Sequence, residues 1–241
     1  MLLTRLPVDR ILPDRTGGEP PDLTRSVWAY PLVGAIASAT GAAALLAAAA
    51  VGGGPWTGAF LALAGAAVVT GAFHEDGLAD TADGLGGGQT KDQKLAIMRD
   101  SRIGTYGTVA LVLSFGLRAS ALATMGEALS AALALIAAGT LGRAVILFLL
   151  ALLPPARSDG LAVVAGRPPA DILGPGFVIA AAVTLACLPT LAALAAAGAA
   201  ALAGLCVAAL ARRCLGGYTG DVLGAGAQLG EIAVLISVSL T

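Results

Sequence analysis

Runs of residues with no group that needs water constrain this chain more than any other feature. Ala-Ala-Leu-Leu-Ala-Ala-Ala-Ala-Val from Ala43 to Val51 is one, and comparable runs recur throughout the 241 residues. A bilayer's hydrocarbon layer is crossed by about 20 mostly apolar residues rising about 1.5 Å each. Seven stretches meet or approach that length, at 27–51, 56–73, 105–125, 129–153, 173–188, 190–211 and 222–240. The expected fold is therefore all-α: a polytopic integral membrane helical bundle of about seven transmembrane helices, forming one domain over residues 1–241. Composition agrees, since 12% charged residues is half of the roughly 25% found in soluble domains. Aromatics are only 4%, so packing rests on Ala, Leu, Val and Gly, whose small side chains let membrane helices approach closely. A net charge of −1 excludes a nucleic-acid partner held by bulk electrostatics.

Stretches 173–188 and 190–211 meet at Leu188-Pro189-Thr190. Read as one helix they would be nearly twice the bilayer thickness, so a hairpin is expected. With seven spans, residues 1–26, 74–104, 154–172 and 212–221 fall on one side and carry twelve of the fourteen Lys and Arg. The other connections, 52–55, 126–128 and 188–190, carry none. By the positive-inside rule the charged side is cytoplasmic, which places the chain in the cytoplasmic (inner) membrane with its N-terminus cytoplasmic and Thr241 outside. Thirteen of the fifteen Asp and Glu sort to the same side, so the active site is expected on the cytoplasmic face. A transporter would instead show polar residues near mid-membrane in several spans. Residues 1–26 contain no apolar stretch of signal-peptide length and are read as mature protein. Cys187, Cys206 and Cys214 lack metal-ligand spacing and are read as packing residues.

The densest polar segment, Phe73-His-Glu-Asp-Gly-Leu-Ala-Asp-Thr-Ala-Asp-Gly-Leu-Gly-Gly-Gly88, follows the second span. Asp76, Asp80 and Asp83 are spaced i, i+4, i+7 and share one helical face. Three carboxylates there repel one another, and no neighbouring cation in the sequence separates them. A divalent cation resolves the repulsion, and hard oxygen ligands favour Mg²⁺. A solvated helix end is the competing explanation; it is disfavoured because a cluster trailing a span would lie at a helix C-terminus, where carboxylates meet the negative end of the dipole. Glu75, about 100° away around the helix, either orients a metal ligand by hydrogen bonding or is itself a ligand to another ion. His74 is either a general base or a hydrogen-bonding anchor at the membrane boundary.

Downstream, Lys91, Lys94, Arg99 and Arg102 fall within twelve positions, with Ser101 and Thr105 adding hydroxyls. Cations opposite an acid-held metal are the equipment that binds a pyrophosphate. Asp92 and Asp100 dilute the stretch, which argues against simple contact with anionic lipid. A third segment, Arg212-Arg-Cys-Leu-Gly-Gly-Tyr-Thr-Gly-Asp-Val-Leu-Gly224, joins paired arginines to Gly217 and Gly220, which permit close backbone approach to a ligand. Its Asp221 either completes a metal shell or orients a nucleophile; the segment also reads as a plain turn into the last span. Gly224, Gly226 and Gly230 read as helix packing. Arg118, Arg143 and Glu231 lie inside spans and are either internally paired or functional.

These residues resemble the cobalamin synthase family, also called adenosylcobinamide-GDP ribazoletransferase. The resemblance is carried by Leu3-Thr-Arg-Leu-Pro7, His74-Glu-Asp-Gly-Leu-Ala-Asp-Thr-Ala-Asp-Gly84, Met98-Arg-Asp-Ser-Arg-Ile-Gly-Thr-Tyr-Gly107 and Gly216-Gly-Tyr-Thr-Gly-Asp-Val-Leu-Gly-Ala225. It implies a Mg²⁺-dependent integral membrane enzyme joining α-ribazole, or its 5′-phosphate, to adenosylcobinamide-GDP with release of GMP, the last assembly step of cobalamin. The chain also looks like the membrane CDP-alcohol phosphotransferases but lacks their Asp-Gly-x-x-Ala-Arg block. On this resemblance a ribose hydroxyl attacks the β-phosphorus, Asp76, Asp80 and Asp83 hold the metal, and Lys94, Arg99 and Arg102 stabilise departing GMP. His74, Glu75 and Asp221 are the candidate bases; Lys91, Ser101, Thr105, Gly217 and Gly220 join the substrate-binding set. A phosphotransferase acting on lipid alcohols and an ion-carrying transporter are the competing classes. Contact with membrane lipid is implied throughout, and glycine-lined spans are compatible with a homo-oligomer.

Overall fold

The structure, a computed structural model, describes residues 23–157 and 168–241. The Leu3–Pro7 motif and Arg5, Arg10, Arg15 and Arg167 lie outside the described residues. A helical turn at Leu23–Ser26 and a 3-10 turn at Val27–Ala29 lead into α1 (Tyr30–Ala50). There follow α2 (Pro55–Thr70), α3 (Phe73–Gly87), α4 (Lys91–Ile97), α5 (Thr105–Thr124), α6 (Ala128–Leu152), α7 (Ala170–Cys187), α8 (Thr190–Leu215) and α9 (Gly220–Ser239). Ala and Leu favour these helices intrinsically, and Gly and Pro divide them. Gly52 and Gly126 take left-handed conformations in turns, Pro55 opens α2, and Pro189 precedes α8.

Six of these elements, α1 with its lead-in, α5, α6, α7, α8 and α9, are long and apolar enough to cross a membrane, and the bent pair α2 and α3 meets the same measure only when taken together, which gives six or seven. The chain is an integral membrane protein. The expected hairpin is present as α7 and α8. At the centre lies α6, buried along most of its length and packed against α1, α7 and α9. Its crossing with α1 is backbone to backbone: a Cβ on Gly34 would stand 2.2 Å from the Gly139 carbonyl oxygen.

The second span differs from expectation. α2 stops at Thr70, Gly71 and Ala72 both adopt left-handed conformations (φ 67° and 56°), and α3 restarts with its axis turned by 92°. Ala72 is the one non-glycine residue with positive φ among the described residues, a conformation costing roughly 1–2 kcal/mol. The break reverses the expected dipole argument. Glu75 and Asp76 stand in the first turn of a new helix, where carboxylates are favoured, not beyond the C-terminus of an old one.

Candidate active site

Packed between α5 and α9, α3 turns two chemically different faces to its surroundings. On the inner face His74 and Glu75 are buried, 1% and 7% exposed. Gly77 and Gly224 permit this, since a Cβ on Gly77 would stand 2.9 Å from the Asp221 carbonyl and one on Gly224 3.4 Å from Gly77 and His74. The three ionisable groups expected inside spans converge here. Arg118 donates to Glu231 at 3.1 Å and lies 3.6 Å from Glu75. Arg143 donates to the second Glu231 oxygen and approaches His74 Nδ1 at 3.3 Å. Gln228 donates to Glu75 at 3.1 Å, and Ser114 donates to Gln228 at 3.3 Å. Two carboxylates and two guanidinia neutralise each other in a region where an unpaired charge is costly. Of the two alternatives for Arg118, Arg143 and Glu231, internal pairing is the one observed.

On the outer face Asp76 is exposed and Asp80 half-buried. The charges of Asp76, Asp221 and Asp83 all bear on Asp80, and only Arg157 opposes them. Arg157 comes from the connection after α6. Its guanidinium lies 3.7 Å from Asp221 and donates to the Leu95 carbonyl at 3.3 Å. Asp221 also accepts from the Thr219 hydroxyl at 3.2 Å, while that hydroxyl caps α9 by accepting from Val222 N. Backbone pairing holds this corner together: Tyr218 N donates to the Pro154 carbonyl at 2.9 Å and Ala156 N to the Tyr218 carbonyl at 2.8 Å.

Asp83 stands apart from the other aspartates. One of its oxygens accepts from Gly104 N at 2.7 Å and the other from Gly107 N at 2.8 Å, so a buried carboxylate binds the N-terminus of α5, where orphan N–H groups and the dipole favour it. A Cβ on either glycine would approach that carboxylate to 2.4 Å. Asp83 was expected on one face with Asp76 and Asp80 as a metal ligand; its two oxygens accept these backbone bonds, whereas Asp76 and Asp80 lie on the more open rim. The acidic and Asp-Ser-Arg-Ile-Gly motifs are each other's packing partners: Tyr106 lies against Gly86, and Met98 against Gly84. Among the described residues no three His, Cys, Asp or Glu side chains are gathered closely enough to enclose a metal ion.

The basic residues divide as well. The Lys94 ammonium donates to the Gly88 carbonyl at the end of α3 and so serves helix termination. Arg102 folds back on Asp100, through Nη2 at 2.6 Å and Nε at 3.0 Å, and holds that carboxyl down at about 2. Lys91 reaches toward Gly216, bringing the second polar connection to the fourth, while Arg99, Ser101 and Thr105 are exposed. Gly217 answers to packing, because a Cβ there would stand 2.1 Å from the Pro154 carbonyl; a Cβ on Gly220 would meet nothing within 4 Å, which leaves that position open to a ligand. Arg157 and Thr219 were not legible as site residues. Arg157 gave only a count in the charge tally, and the signal that could have marked Thr219 is a threonine placed just before the last apolar span, where a helix N-cap belongs.

The bundle and its polar end define the class first: a polytopic membrane protein whose carboxylate-rich site lies where three described connections meet, those after α3, after α6 and before α9. Within that class the chain belongs to the family described as cobalamin-5-phosphate synthase, which it matches over residues 1–239. It is 47% identical over 234 residues to the protein named adenosylcobinamide-GDP ribazoletransferase from Bradyrhizobium diazoefficiens, covering 97% of this chain and 88% of that one. A protein of the same name from Sinorhizobium medicae is 46% identical over 247 residues, covering 99% and 93%. One from Azorhizobium caulinodans is 49% identical over 226 residues, covering 91% and 85%. No solved structure matches the chain.

Proposed function

We propose that this chain joins α-ribazole, or its 5′-phosphate, to adenosylcobinamide-GDP and releases GMP, with Mg²⁺ as cofactor and with the acidic rim facing the cytoplasm of an inner-membrane protein. The observation that carries the site assignment is the crowding of like charge on the rim, where Asp76, Asp83 and Asp221 all bear on Asp80 and, among the described residues, Arg157 is set against them. That surplus fits a hard divalent cation. Mg²⁺ is commonly held by one or two carboxylates together with substrate phosphates, not by an all-protein cage, which suits a rim where no three ligands enclose an ion. Asp76 and Asp80 would hold it; bound there, it would neutralise pyrophosphate oxygens.

The chain's own groups supply the rest. The ribose hydroxyl oxygen bonds to the β-phosphorus of the GDP group, the bond from that phosphorus to the GMP oxygen breaks, and the hydroxyl proton passes to Asp221. Asp221 is preferred over His74 and Glu75 because it lies on the rim, oriented by Thr219 and Arg157, whereas those two are enclosed with Arg118 and Arg143. Lys91, Arg99 and Arg102 lie on the connection that would meet the departing nucleotide, Arg102 exchanging Asp100 for phosphate. Purified protein in detergent should release GMP from the activated corrinoid only when ribazole and Mg²⁺ are both present. GMP release that persists after chelation, or none under any condition, would overturn the reading. A reporter fused after Thr241 should be periplasmic and one at Arg157 cytoplasmic; both on one side would overturn the orientation.

A further inference from the structure

Far from the acidic rim, α7 and α8 are joined by a two-residue turn yet barely touch along their length. Between them and α6 runs a cavity of about 310 Å³. Its floor is Leu141, Val145 and Phe148 of α6, and its lips, Phe177 and Leu185 of α7 with Ala197 of α8 among them, are exposed on the surface of the bundle. The cavity is thus a slot parallel to the helices and open sideways to the bilayer. Along α7 its lining runs from Phe177 to Leu185, about 12 Å at about 1.5 Å per residue. That is most of the hydrocarbon depth of one leaflet, about 15 Å.

The lining is apolar except at one point. Thr184 is 3% exposed and its hydroxyl has no hydrogen-bond partner. In the apolar spans the hydroxyls of Thr70, Thr124 and Thr140 each donate to the carbonyl four residues earlier, the usual way a helical threonine is satisfied in a membrane; Thr184 does not, a trait it shares with Thr81 of the polar α3. A buried hydroxyl without a partner is costly. Thr184 lies at the slot's end away from the acidic rim, one turn before α7 stops at Cys187. α7 has 18 residues, about 27 Å at about 1.5 Å each against a hydrocarbon layer of about 30 Å, so a position one turn from its end falls near the level of a phospholipid's ester carbonyls.

We propose that the slot holds one acyl chain of a bilayer phospholipid from the leaflet opposite the acidic rim. Its ester carbonyl accepts from Thr184 Oγ1, and its chain runs inward past Ala197 toward Phe148 and Phe177. The single buried donor in an apolar lining selects the occupant: the backbone carbonyls of a second copy's helix are already bonded within that helix, whereas an acyl chain ends in an ester carbonyl free to accept.

The test is photolabelling of the full chain in nanodiscs of phosphatidylcholine with a diazirine placed in the acyl chain, followed by peptide mapping. Label should concentrate on the slot residues of α7 and α8. Ala197→Phe fills the slot and should reduce that label at least fivefold. Gly198→Phe, on the same helix where a Cβ would meet nothing within 4 Å, should leave it unchanged and controls for folding. Thr184→Val keeps the shape, removes the donor and should reduce label about fivefold, the worth of one hydrogen bond. Equal labelling of wild type and Ala197→Phe, or slot peptides cross-linked to a second copy in place of lipid, would overturn the proposal.

Discussion

Glu75 and Asp76 share a peptide bond, yet one carboxylate is enclosed between Gln228 and Arg118 and the other is open to solvent. The two regions they belong to differ in charge balance. The enclosed one matches Glu75 and Glu231 with Arg118 and Arg143, needs no outside ion, and ties α3 to α5, α6 and α9. The rim sets Asp76, Asp80 and Asp221 against Arg157, so among the described residues its carboxylates outnumber its cations. An acidic residue's role here follows from the number of cations the fold brings to it, and not from its place in a motif.

Removing one member of the enclosed set should have the largest effect. Glu231→Leu leaves two buried guanidinia with one carboxylate, and is expected to cost about 3–5 kcal/mol, read as a collapse of the thermal unfolding transition in detergent. Adding Arg143→Leu restores the balance between Glu75 and Arg118, so the double variant should be more stable than the single one. If it is not, the balance argument fails.

The rim should respond in the opposite sense. Asp80→Asn removes repulsion, so the unfolding temperature should hold or rise while turnover falls about 100-fold or more, typical of losing one transition-state electrostatic group. An Asp80→Asn protein that unfolds early would move Asp80 into the structural set. Between the two lies Asp83, whose charged hydrogen bonds to α5 are worth about 1.5–3 kcal/mol. Asp83→Asn should lose stability in that range with Mg²⁺ dependence unchanged; a weakened response to Mg²⁺ at unaltered stability would return Asp83 to the metal set. The smallest effect is expected at Arg102. Arg102→Ala should leave unfolding unchanged and raise KM for the GDP-bearing substrate by less than tenfold, with Lys rescuing part of the loss because it lacks the planar fork. Equal KM values would remove Arg102 from the substrate site.

Much of this architecture was legible because a bilayer imposes length. The α7–α8 hairpin and the gathering of polar connections follow from counting apolar residues and charges. The break at Gly71–Ala72 was not legible, since a left-handed alanine leaves no mark in the sequence and the apolar run continues through Phe73. Asp83's fate was hidden for another reason. Spacing reports which residues share a face, but what meets that face was decided by Gly104 and Gly107, more than twenty positions away. Arg157 was equally invisible, a single cation in a connection brought to the rim by the Tyr218 and Pro154 pairing.

The break between α2 and α3 also bears on how the protein is made. α3 carries four carboxylates in fifteen residues, and each costs about 2.5–3.5 kcal/mol at the centre of an isolated inserting helix. It has little reason to enter the bilayer alone. Its partners Arg118, Arg143 and Gln228 are synthesised later, Gln228 more than 130 residues after α3. A nascent chain halted before Gly220 has neither the Gly224 surface against which Gly77 packs nor the Glu231 that balances two guanidinia. Seating of the acidic helix in the bundle therefore depends on α9, which supplies both the Gly224 surface and the balancing Glu231.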